Sequence, residues 1–124
     1  MYRIALDAMG GDNAPQAVVE GAKLAVEEFS DVTVQLYGPE EVLRPLAGGA
    51  ERVEIVHAPD VIGMHDSPML AVRQKTESSM VKAIMAVREG RADAVVSAGS
   101  TGAVLAGGMF RLGRIPGIER PALA

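Results

Sequence analysis

The chain has 124 residues, 48% of them apolar and 23% charged, which suits one folded domain and excludes intrinsic disorder. Its formal charge is −4, and it holds two Phe, two Tyr and no Trp, a poor endowment for neutralising nucleic-acid phosphates or stacking bases, so no nucleic-acid partner is expected. With no cysteine it has no disulfide framework, thiolate metal site or cysteine nucleophile, which fits a cytoplasmic protein.

Tyr2–Ala8 (YRIALDA) predicts a first strand. Its apolar run is too short for a signal-peptide core and meets Asp7. Residues 14–29 predict a helix whose buried face carries Val18, Ala22, Ala25 and Phe29, with Asn13 as its cap and Pro15 in its first turn. A second strand over Val32–Gly38 ends at Gly38-Pro39, and a short helix follows over Glu40–Leu46. Val53–Ala58 is a third strand, closed by Pro59, and residues 60–67 form a loop. Helical patterns cover 68–75 and 77–89. In the second, Met80, Ile84 and Val87 share a face, and Gly90 is the stop. Asp93–Ala98 is a fourth strand, Thr101–Leu112 a helix of small residues, and the closing PALA the start of a fifth strand. Met80, Met85 and Met109 are expected to fill the core.

Strands alternating with helices give an α/β fold on a mostly parallel sheet, read as a single domain over 1–124 that begins a longer enzyme. Residues 1–62 carry 4 basic and 11 acidic side chains, residues 63–124 carry 8 and 5, so positive charge gathers in the second half. The uncharged stretch 94–110 holds four glycines besides Ser97, Ser100 and Thr101, which argues against a membrane span.

Ligands of open α/β sheets gather beyond the carboxyl ends of the strands. Two loops stand there. In Ser97-Ala98-Gly99-Ser100-Thr101-Gly102 a strand passes straight into a helix. Gly99 and Gly102 would let backbone approach an anion, and Ser97, Ser100 and Thr101 add hydroxyls. The same residues suit a plain N-cap at Ser100 with glycines for tight packing. The loop is neither a P-loop, a dinucleotide fingerprint nor a serine-hydrolase elbow, since Ala98 stands where that elbow needs glycine. The second loop, Asp7 to Pro15, offers Gly10, Gly11, Asp12 and Asn13 beside Asp7. Its carboxylates, Asp7 and Asp12, could orient a substrate, act as base, hold a metal or simply brace a turn. Arg73, Lys75, Ser78 and Ser79 could neutralise a phosphate or line a solvated helix face. His57 reads as a structural hydrogen bonder. His65, Asp66 and Asp12 lack metal-ligand spacing, so no metal is assigned.

Five blocks in order, IALDAMGGDNAP (4–15), VEIVHAPDVIGMHDSP (53–68), RQKTESSM (73–80), ADAVVSAGSTGA (92–103) and LGRIPGIERPALA (112–124), closely resemble the N-terminal region of the bacterial phosphate acyltransferases. Ser100 stands where that family commonly has Asn. The resemblance implies a three-layer α/β/α sandwich like those of phosphotransacetylases and isocitrate dehydrogenases. It implies transfer of an acyl group from acyl carrier protein to inorganic phosphate, without a cofactor. It also implies a homodimer, soluble or peripheral at the inner membrane face. On it, Ser97, Gly99, Ser100, Thr101 and Gly102 hold phosphate, Asp7, Gly10, Gly11, Asp12 and Asn13 line the cleft, and Lys75, Ser78 and Ser79 assist. Two rival expectations are a metal- and nicotinamide-dependent decarboxylating dehydrogenase of related fold and a non-catalytic phosphate-binding module.

Overall fold

The computed structural model describes residues 1–117, so the strand expected at PALA lies outside the described residues. Four strands, β1 (Tyr2–Asp7), β2 (Val32–Gly38), β3 (Val53–His57) and β4 (Ala94–Val96), form one sheet in the order β3-β2-β1-β4, and every pairing is parallel. The period of two along each strand divides the sheet's side chains. Leu6, Val34, Leu36, Val53 and Ile55 serve one face, while Ala5, Tyr37, Val56 and Val95 serve the other.

Helices α1 (Gln16–Glu28) and α2 (Glu40–Ala47) cover the first face through Val19, Ala22, Val26, Leu43 and Ala47. On the second face α4 (Ser79–Arg88) lies against the sheet. The helices α3 (Pro68–Gln74) and α5 (Thr101–Gly107) pack on each other and on α4, and a π-helical turn at Gly108–Leu112 prolongs α5. The result is a three-layer α/β/α sandwich. Connections run outward from β1 through β2 to β3, then return to β4 on the other side of β1. The strand order therefore reverses between β1 and β4, where both glycine loops emerge.

Several expectations need correction. The α1 face is rotated: Val19, Ala22 and Val26 are buried, whereas Phe29 caps the helix end and is exposed. Val18 and Ala25 instead edge an open apolar groove shared with Ile4, Leu6 and Val96, because no element covers the β1–β4 side of that face among the described residues. Asn13 does not cap α1 with its side chain. Pro15 occupies the N-cap, and Asn13 contributes only its carbonyl, which accepts from the Ala17 amide. Met80 is buried and Met85 half-buried, but Met109 is exposed, since the π turn swings it off the helix face. Beyond Met80, Ile84 and a half-buried Val87, α4 buries Val81, Ala83 and Ala86, being sandwiched between sheet and helices. Gly90 does stop it, with φ at +79°.

Candidate functional site

At the carboxyl end of β1, Asp7 is buried, 2% exposed. Burying a carboxylate is costly unless hydrogen-bond donors replace its water. Here three do. The Ser79 hydroxyl donates to Oδ1 at 2.6 Å, the Met9 amide donates to the same oxygen at 3.1 Å, and the Ser97 hydroxyl donates to Oδ2 at 2.8 Å. Asp7 thereby ties β1, the first residue of α4 and the loop after β4 to one point.

The two glycine loops touch. A Cβ at Gly10 would lie 2.7 Å from the Gly99 amide nitrogen and 2.8 Å from Asp7 Oδ2, so only glycine fits there. Gly11 has φ +107° and passes Ala98. Behind Gly99 stands the Met80 methyl, within 3.2 Å of where its Cβ would be.

Several candidate hydroxyls are already engaged. Ser97 Oγ accepts from the Gly99 amide at 3.1 Å while donating to Asp7. Ser100 caps α5, its hydroxyl accepting from Ala103 at 3.3 Å and its carbonyl from Val104 at 3.0 Å. Ser78 is the cap of α4, accepting from Val81 at 3.2 Å. The cap reading of Ser100 therefore holds, and apart from the Thr101 hydroxyl the loop's open donors are backbone ones. Among the described residues, the amides of Thr101 and Gly102 at the start of α5 have no acceptor, nor do those of Gly10, Gly11 and Asp12. Successive unpaired amides in a glycine-bent loop form an anion-binding concavity. Thr101, Gly102, Gly11, Asp12 and Asn13 are exposed and accessible to a ligand.

A match to the model of the fatty acid synthesis protein family extends over residues 2–124. The chain belongs to that family. Two streptococcal relatives are named phosphate acyltransferase. The one from Streptococcus sanguinis (strain SK36) is 55% identical over 123 residues, 99% of this chain and 37% of the relative. The one from Streptococcus uberis (strain ATCC BAA-854 / 0140J) is 52% identical over the same shares. A relative of the same name from Geobacillus thermodenitrificans (strain NG80-2) is 55% identical over 121 residues, 98% of this chain and 37% of that one. The chain thus spans little more than a third of the length of the curated relatives it matches.

Of the remaining candidates in this family member, Lys75 already has partners. Its ammonium is held by Asp66 at 2.9 Å and by the Val61 carbonyl at 3.0 Å, bracing the loop before α3. That bond raises the Lys75 pKa and holds the Asp66 carboxyl below its usual value. Arg73 lies over the Phe110 ring. His57 is structural as expected, Nδ1 accepting from the Glu40 amide that opens α2. No group of three His, Cys, Asp or Glu side chains is placed to hold a metal among the described residues. Sequence reading alone missed that Asp7, Ser79 and Ser97 form one network. Their separations of 72 and 90 residues leave no local signal; only the topology brings them together.

Proposed function

We propose that this chain supplies the phosphate-binding part of an enzyme that moves an acyl group from acyl carrier protein to inorganic phosphate. The observation that carries the reading is the pair of glycine loops pressed together where the strand order reverses, with unpaired amides on both. The family and the names of the relatives support the chemistry. In the reaction a phosphate oxygen attacks the thioester carbonyl carbon, the carbon–sulfur bond breaks, and the proton of hydrogen phosphate leaves with the thiolate sulfur. The products are acyl phosphate and the free thiol, and no covalent enzyme intermediate is required.

Thr101 and Gly102 hold the nucleophile through backbone amides and the Thr101 hydroxyl, with the Gly10–Asn13 loop closing the other side. Amides bind a dianion without taking up its attacking oxygen. Ser97, Ser79 and Asp7 keep the loops in register, Ser100 and Ser78 fix the helix starts, and Gly99 allows close approach. A hydrogen bond to a charged group contributes about 1.5–3 kcal/mol, so each amide strengthens phosphate binding by about tenfold or more. We assign no general base and no cofactor. The chain is further read as the N-terminal part of a homodimeric cytoplasmic enzyme that associates peripherally with the inner membrane face; no helix among the described residues is long and apolar enough to cross a membrane.

The test is phosphate-dependent release of thiol from acyl carrier protein by the longest open reading frame encoding this chain, paired with crystals soaked in phosphate. Thiol release with phosphate between the two loops is the expected result. Phosphate bound elsewhere, or release that ignores phosphate, overturns the reading.

A further inference from the structure

The far end of α5 carries a patch that the site does not use. Phe110 is 46% exposed, and Leu70 on α3 is 53% exposed; Met69, Met109 and Leu112 are exposed as well. Three arginines frame them. The Arg73 guanidinium lies 5.3 Å from the centre of the Phe110 ring. Arg111 Nη2 donates to the carbonyls of Val72 at 2.9 Å and Arg73 at 3.2 Å, and Arg88 Nη1 donates to the Arg111 carbonyl at 2.9 Å. Each guanidinium has five N–H donors, so most remain open. None of the three pairs with a carboxylate among the described residues.

We propose that this patch docks an acidic protein whose contact face sets carboxylates around an apolar centre. The identity of that partner rests on the acyl-transfer reading above: it is the carrier protein that brings the acyl group. Aromatic, Met and Arg side chains are the types enriched where proteins meet, and unpaired arginines steer acidic partners and pair bidentately with carboxylates. The location suits delivery. Pro68 meets Gly102 at the start of α3 and α5, by the glycine loop, and Arg73 meets Phe110 near their ends. Eight residues of helix separate Gly102 from Phe110, roughly 12 Å. A lipid surface fits less well. Its basic clusters number about 4–8 residues, more than the three arginines that frame this patch.

The experiment measures binding of acyl carrier protein to the longest reading frame encoding this chain, wild type and R73E, L70S and R44E. Arg73 has only a ring contact, so R73E retains the fold, and L70S alters no charge. R44E makes the same charge change on α2, far from the patch in the fold. The expected result is a Kd raised at least about tenfold by R73E, raised by L70S, unchanged by R44E, and weakened by salt. Equal Kd values for R73E and wild type, equal losses in R73E and R44E, or no binding at all overturn the proposal. So does loss in R73E of binding to phosphatidylglycerol vesicles while carrier binding persists. Thiol release is assayed separately: its absence with the binding pattern intact defeats the acyl-transfer reading and not the docking surface.

Discussion

Asp7 poses the central problem at the scale of one residue, since a buried carboxylate beside an anion site repels the ligand. The geometry answers it by giving each oxygen a donor and drawing the Ser79 and Ser97 protons inward. Asp7 is therefore a positioning residue. Asp7→Ala strands two hydroxyls and an amide, and unmade hydrogen bonds of this kind cost about 1–3 kcal/mol each before relaxation. We expect a fall of about 2–3 kcal/mol in unfolding free energy by urea titration, with kcat falling alongside. Gly10→Ala presses a methyl against the Gly99 amide and Asp7. Overpacking of that kind costs about 1–3 kcal/mol, and phosphate KM is expected to rise because the loops separate. The residue types at this corner were legible in the sequence, glycines, serines and acids after strands. Their bonding was not, because each hydroxyl had two readings and only the fold decides which acceptor it meets.

Helices and strands were legible because their periods differ, and every helix and strand expected before residue 113 is present. Register was less so. The α1 stripe slipped by one position because alanines and valines surround the helix, and a face that packs cannot be told from one that lines a groove. The start of α5 separates backbone from side-chain binding. Thr101 is the first helical residue, a position where proline is accepted, and Ser100 before it already has extended backbone (φ −54°, ψ 118°). Thr101→Pro is thus expected to keep the fold and raise phosphate KM at least about tenfold by deleting one amide, while Thr101→Val, which keeps the amide, has a smaller effect. Ser100→Ala loses a cap and about 1 kcal/mol of stability, with phosphate binding largely kept. Gly21 in α1 has open space where a Cβ would stand. Gly21→Ala is expected to stabilise by about 0.5–1 kcal/mol, read as a higher Tm.

For the molecule as a whole, two carboxyls make stability depend on pH. The Asp93 carboxyl, hydrogen-bonded by the Arg3 side chain and amide, ties β1 to the approach of β4 and lies below its usual pKa. Asp66, bonded to Lys75, is shifted the same way. Their folded values are depressed, so their stabilisation is complete above the unfolded carboxylate value near ~3.9 and fades as pH falls through the lower folded values. Thermal melts from pH 7 to 2.5 are expected to show a level midpoint down to about pH 5 and a decline below about 4, less steep in Asp93→Asn. The open groove beside α1 is a feature of this scale too, visible only once the sheet is assembled, since Ile4 and Val96 read as ordinary core strand residues in the sequence.

The contact between Gly10 and Gly99 also constrains how such a chain can change over generations. The Gly10 side of that crossing cannot acquire a side chain unless the loop opposite withdraws, whereas at Gly99 the neighbours stand 3.2–3.4 Å away and need give only a little. Gly21 and Gly48, with empty space above them, are under no such restriction from packing. Random mutagenesis with selection for growth would accordingly be expected to recover alanine freely at position 21 and almost never at position 10.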